Sequence, residues 1–455
     1  MNTDADHSVA EPDRWSIFGD IWRMGYPSMI GFAATNLYTL ADMFWVSRLG
    51  PDRVAALAIF NAFYWVMSSV NMIAGSGSVA VIARRFGERD RPRTETAIVE
   101  AFVLKFLLAA VFGAIGYVLT PTMVRWMGAE GEVINYAQLY GQVMFLGLVF
   151  NFPCWTLYTA LRGIKQPRAA MIIMLASTAL NATLDPFFIF GWWGFPALGV
   201  RGAAWASLIS FGLTITTGLI LFFAGAFNYR LTLDSIRRMH MSTVLQMLRI
   251  GLPSGINSIS FSLGRMIITP MIAHFGAPVI AIYGMGNRIV ELGDVIVVGL
   301  ELGMSPLVGH ALGAKDKIRA WIIAKLAVGF GFTVMTIFGI VCAVFAEPIT
   351  RIFFEGEPYI TLGRQFFQIS ALFFPFVGMT IVLEGAFTGA GDTVPPMVVG
   401  LIHTWLLQIP LVWLLAYGLE MGPVGVWWGL VIAITSGTVI FLWWFNKRRW
   451  LERAV

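Results

Sequence analysis

The sequence predicts an all-α integral membrane protein: twelve transmembrane helices in two six-helix bundles, related by a pseudo-two-fold axis along the membrane normal. Three observations carry that expectation. Of the 455 residues, 57% are hydrophobic and only 13% charged, with a mean hydropathy of +0.73, whereas a soluble chain carries about 45–50% apolar and about 25% charged residues. Twelve spans leave about 38 residues each, enough for a run of about 20 apolar residues and a short connection. The second half also repeats the breakers of the first in register. No room remains for a separate soluble domain.

Charge and Gly/Pro punctuation mark off the apolar runs. Helices are expected near 20–47, 54–83, 97–119, 134–160, 168–190 and 198–225, then near 245–273, 279–311, 320–346, 362–388, 394–416 and 422–446. The second and eighth are long, which tilt accommodates. This divides the chain into a tail (1–19), an N-terminal bundle (20–225), a linker (226–244), a C-terminal bundle (245–446) and a basic tail (447–455). The polar N-terminus lacks the basic region of a cleavable signal peptide, so the first apolar run is expected to stay. Cys154 and Cys342 lie inside apolar runs and read as packing residues, not a disulfide framework.

Loop charges orient the chain. Arg84, Arg85, Arg89, Arg91 and Arg93 share one side with Arg162, Lys165, Arg168, Arg230, Arg237, Arg238, Lys315, Lys317 and Arg319. Lys447, Arg448, Arg449 and Arg453 of the tail join them, whereas the opposite loops hold chiefly Arg48, Arg53, Arg125 and Arg351 beside several acids. The positive-inside rule then puts both termini in the cytoplasm, as an even number of spans requires. The same bias accounts for the net charge of +5 without a nucleic-acid partner.

The repeat runs at an offset of 226. RMGYPS at 23–28 matches RIGLPS at 249–254, and without a gap Gly50 pairs with Gly276, Asn61 with Asn287, Gly77 with Gly303, Gly87 with Gly313 and Gly163 with Gly389. Asp90 pairs with Asp316 and Arg93 with Arg319. A parallel repeat in an all-helical membrane protein points to transport, with a substrate site between the halves near the midplane.

With these features the chain resembles the MATE (multidrug and toxic compound extrusion) transporters, in their DinF-like or archaeal branch. The resemblance rests on GYPSMIG, LADMFWVSRLG, ALRGIKQPRAAM, NATLDPFFIFG, GVRGAAWAS, GMGNRI, SPLVGHALGAKDK and GAFTGAGDTVPPM, in family order and spacing over nearly the whole chain after residue 20. It implies a V-shaped pair of bundles and efflux driven by a proton or sodium gradient.

Ionisable groups deep in a bilayer cost about 2.5–3.5 kcal/mol on insertion scales, so each needs an account. Asp42 follows eighteen residues without charge, with Tyr38 one turn earlier on the same face, while its repeat mate is Ile268. A near-interface pairing with Arg48 is the plainer alternative. Asn181 and Asp185 share a face of the fifth helix, and Pro186 removes an amide donor beside the acid. They read either as part of a polar pocket or as a structural interhelical pair. The resemblance implies a polar network in the N-terminal lobe built from Tyr38, Asp42, Tyr140, Asn181, Asp185 and Ser207, binding the coupling ion or substrate. Sodium is possible at Asp42, Asn181 and Asp185, since such oxygens also ligate a hard cation.

Glu291, Asp294 and Glu301 span only about 80° of the eighth helix. They read equally as a cation-attracting wall or as ion pairs with Arg288 and Arg265. Glu384 in the tenth helix stands isolated, and Asp392 reads as a turn residue. The histidines show no metal-ligand spacing, no Walker A sequence occurs, and no nucleophile–base set emerges, so neither an enzyme nor a cofactor beyond the coupling H+ or Na+ is expected. The sequence is therefore expected to encode a monomeric antiporter of the inner (plasma) membrane, exporting amphipathic, cationic drugs or metabolites in exchange for protons. Sodium coupling and a flippase for lipid-linked substrates are the alternatives.

Overall fold

A computed structural model describes residues 14–127 and 130–455. Twelve long helices follow one another: α1 (Arg14–Ser47), α2 (Pro51–Gly87), α3 (Arg91–Trp126), α4 (Glu132–Gly163), α5 (Pro167–Phe190) and α6 (Val200–Ala224), then α7 (Met241–Ala273), α8 (Ala277–Gly313), α9 (Lys317–Val344), α10 (Glu357–Ser370 and Phe374–Ala390), α11 (Val394–Gly418) and α12 (Gly422–Asn446). Nine of them are long and apolar enough to cross a membrane, and the bent pair of α10 makes a tenth. The remaining two, α1 and α2, have 34 and 37 residues, well beyond the roughly 20 a span needs. The basic loops, the start of α1 and the C-terminal tail share one face, the basic face; the other is the far face.

Several boundaries differ from expectation. Residues 1–13 of the expected tail lie outside the described residues, and α1 begins at Arg14, inside that tail. Ile17, Ile21 and Met24 form a helical stripe that is buried, while Asp20 between them is satisfied by Arg319 at 2.7 Å. A single turn-and-a-half helix, Leu233–Arg237, lies in the linker, and α7 already starts at Met241. An extra short helix, Ala346–Phe353, precedes α10. Helix α10 is bent by 50° around residues 371–373, because Pro375 has no amide hydrogen and its ring clashes with the carbonyl four residues back. The C-terminal tail is folded rather than free: Trp450 is 1% exposed and stacks on Phe445 at 5.4 Å.

Each lobe has its own apolar core, yet two helices cross between them. Ile17, Ile21 and Met24 of α1 belong to the core of the C-terminal lobe, built on α8, α9, α10 and α12. Val244, Met247 and Ile250 of α7 belong to the core of the N-terminal lobe. The far-face half of each returns to its own lobe, Val46 with Phe60 and Tyr140, Ile268 and Ile272 with Met285.

The repeated glycines are what this exchange requires. A Cβ on Gly77 would stand 2.0 Å from the Met247 carbonyl oxygen, and one on its mate Gly303 would stand 2.7 Å from that of Met24. Gly87 meets the carbonyl of His310 and Gly313 that of Arg84, at 2.2 Å each. Backbone meets backbone along this seam. It extends at least as far as Ser258, which donates to Ser69 at 3.1 Å. The lobes are therefore closed at the basic face, whereas the far-face halves of α1 and α7 each pack within their own lobe.

Candidate functional site

Inside the N-terminal lobe, α1, α4, α5 and α6 bring all six expected residues to one place. Asp42, Tyr140, Asn181, Asp185 and Ser207 are buried, and Tyr38 turns its buried hydroxyl towards them. Helical spacing puts Tyr38 and Asp42 on one face of α1 and Asn181 and Asp185 on one face of α5. Thr178 donates to the Ala34 carbonyl at 3.0 Å and locks these two helices together. The Asp42 carboxylate then faces Asp185, Asn181, Ser207 and Tyr140. Asn181 Nδ2 reaches both Asp185 Oδ1 and Ser207 Oγ at 3.5 Å, the long limit of hydrogen bonding. Tyr38 stacks on Phe211 with ring centroids 5.4 Å apart, and Tyr140 sets its edge against Phe60 at 5.0 Å. These apolar rings hold the two tyrosines in place.

Two features give this pocket its chemistry. Among the described residues no basic side chain is one of the groups acting on either carboxylate. Arg48, the alternative partner of Asp42, lies instead over the rings of Phe44 and Trp45, at 4.5 and 5.2 Å. Tyr38 Oη, Asp42 Oδ1, Asn181 Oδ1 and Asp185 Oδ2 are buried without a hydrogen-bond partner. Two facing carboxylates cannot both stay charged in such a site without a shared proton or a cation.

The acids of the C-terminal lobe do not form one site. Along α8 they spread over about 15 Å at 1.5 Å per residue. Glu291 pairs with Arg288 at 2.9 Å and both are exposed. Asp294 is half-buried and faces Glu291 and Arg265, its Oδ1 without a partner. Glu301 lies at the seam, facing Glu384 and, from the other lobe, Arg162. Glu384 is not isolated as expected: Asn257 Nδ2 donates to its Oε1 at 3.2 Å. The reading of these residues as pairs with Arg265 and Arg288 therefore holds as an ion pair only for Glu291.

Sequence reasoning missed Arg162 and Asn257 as partners, and also Lys105. That lysine is buried in α3, with Nζ donating to the backbone and side-chain carbonyls of Asn71. The one available signal was a base inside an apolar run, as with Asp42. Among the described residues no three His, Cys, Asp or Glu side chains converge as a metal site.

A profile of the MatE family matches residues 27–187 and 253–414, two copies whose starts differ by the offset of the internal repeat. The chain belongs to the MatE family. It is therefore a membrane transporter of the MATE type and not an enzyme. It is 25% identical over 441 residues to a probable multidrug resistance protein, YoeA, of Bacillus subtilis, covering 94% of each chain. It is likewise 25% identical over 397 residues to a FAD transporter of Shewanella oneidensis, covering 87% of each. The outward-facing conformation of a multidrug resistance MATE family transporter superposes with a TM-score of 0.87 at 25% identity, over 96% of each chain. Relatives of equal identity are thus named for different roles, multidrug resistance and FAD transport.

Proposed function

We propose that this MATE protein is a secondary antiporter of the bacterial inner membrane, exporting amphipathic cations in exchange for protons, with both termini in the cytoplasm. The observation that carries the reading is the buried, base-free pairing of Asp42 with Asp185. A proton held between them neutralises the pocket, and its loss leaves repelling charges that only rearrangement or solvation relieves. Pro186, beside Asp185, leaves the Ala182 carbonyl without its helical donor, a weak point at which α5 can bend. The hydroxyls of Tyr38, Tyr140 and Ser207 and the Asn181 amide supply partners that can change with protonation. A proton that binds one conformation better than the other is what couples its descent to export. Asp294 with an unpartnered carboxylate oxygen, and Glu301 with Glu384 against the single guanidinium of Arg162, leave an excess of negative charge in the C-terminal lobe that favours cations over anions.

Sodium is the second reading, because carboxylate, amide and hydroxyl oxygens at one locus also suit a hard cation. Proteoliposomes separate the two. Cationic dye export should follow an imposed proton gradient and be abolished in Asp42→Asn while dye binding stays measurable. Undiminished proton-driven transport by that variant overturns the site, and transport that follows sodium at fixed pH replaces the proton.

A further inference from the structure

Arg162 ends α4 at the seam, 2% exposed, with Nη1 buried and without a hydrogen-bond partner. The next residue pins it there. Gly163 offers its carbonyl to His310 Nε2 of the other lobe at 2.6 Å, and its Cα lies so close to Ile82 that a Cβ would stand 2.8 Å from Cγ2. The acid opposite the guanidinium is Glu301, with Glu384 beside it. These two belong wholly to the C-terminal lobe. Glu301 rests its stem on Gly385, where a Cβ would stand 2.5 Å from Cγ, and Asn257 of α7 holds Glu384. Tyr158 is the repeat mate of Glu384 and Gly75 that of Glu301, so the acids have no counterpart in the other lobe. Glu301 is the acid facing the buried guanidinium across the seam, and among the described residues no direct ion pair joins them in this closed state.

When the lobes part at the basic face, Arg162 must leave with α4 and the two acids stay behind. Two carboxylates and the Asn257 amide then face the opened side with no base opposite them. That is a site for a monovalent organic cation. Closure returns the guanidinium to the same carboxylates. We propose that Arg162 is a tethered counter-cation that replaces cationic cargo at Glu301 and Glu384 as the basic face closes. This inference rests on the export of cations proposed above. It adds where the cargo is first held and what drives it off: one positive charge exchanged for another, so that the acids are never left bare in the closed seam. Cargo bound at the acids and a closed seam exclude each other, which is the differential affinity that alternating access needs.

The test is equilibrium binding of tetraphenylphosphonium to the purified full chain, with triphenylphosphine oxide as a neutral probe of similar size. Arg162→Gln should bind the phosphonium at least about fivefold more tightly, a gain of about 1 kcal/mol, with the neutral probe unchanged. Adding Glu301→Gln or Glu384→Gln should cancel the gain, and Arg162→Lys should keep the wild-type affinity. Should Arg162→Gln not fold, Glu301→Gln alone should weaken phosphonium binding about fivefold and leave the neutral probe alone. Unchanged or weaker phosphonium binding in folded Arg162→Gln, an equal gain for both probes, or no effect of Glu301→Gln overturns the inference. If wild type binds the phosphonium and Arg162→Gln gains nothing, this inference falls while cation export stands. If no form binds it, the cation reading falls as well.

Discussion

Gly251→Ala tests whether the closed seam is a constraint or a coincidence of shape. A Cβ there would stand 1.4 Å from the Ile73 carbonyl oxygen and 2.5 Å from its carbon. Normal contact is about 3.5 Å, so α2 and α7 would have to separate by about 2 Å. Alanine gains about 1 kcal/mol over glycine inside a helix, but overpacking between two backbones costs about 1–3 kcal/mol, and the steric term wins. Parting the lobes relieves it without unfolding either. A net bias of about 1.4 kcal/mol raises the population open at the basic face tenfold. Ser78, buried at the seam near Met247, reports this once changed to cysteine, since Cys154 and Cys342 are both buried. Its maleimide labelling should quicken about tenfold in the Gly251→Ala background, the factor set by that bias. Gly284→Ala and Gly329→Ala, where nothing lies within 4 Å, should leave labelling unchanged. Equal labelling in folded Gly251→Ala protein would refute the reasoning, because the seam would then absorb a methyl group without opening.

Other expectations concern topology, the tail and the α9–α10 connection. Cysteines at 90, 165, 236 and 316 should react with impermeant reagents only from the cytoplasm; labelling in intact cells would invert the orientation. Trp450→Ala empties a site that closes on Phe445, Phe387 and Trp321, and should cost about 3–5 kcal/mol, seen as a lower thermal midpoint. Exposed Glu347 accepts from Arg351 and Arg364, and these hydrogen bonds hold its carboxyl below the usual range. A lowered folded-state value gives a contribution present above the unfolded carboxyl value and lost as pH falls through the lowered one. Hydrogen exchange in Ala346–Phe353, corrected for its intrinsic rate, should thus be flat down to about pH 5 and accelerate only below about pH 4; a rise beginning near neutrality would contradict that pairing.

The N-terminal pocket could be read in the sequence because each of its signals is local. Asp42 stands out in an uncharged run, and Asn181 and Asp185 share a face by spacing alone. Their convergence on Tyr140 and Ser207 needed the family resemblance, because the rotation of one helix against another is not written in either. The same limit explains Glu301. Its helical stripe was legible, but its counter-charge lies 139 residues earlier in the chain, on a helix of the other lobe.

By itself the sequence determined a twelve-helix membrane protein built from a duplication, because hydropathy and helical period are properties of short segments. It also showed glycines recurring in register without saying why. Only the tertiary structure decided that α1 and α7 exchange lobes at the basic face, that the recurring glycines let backbones touch there, that the tail folds back on Trp450, and that Arg162 faces Glu301. Each of these is a contact between segments far apart in the chain, fixed by how two helices meet.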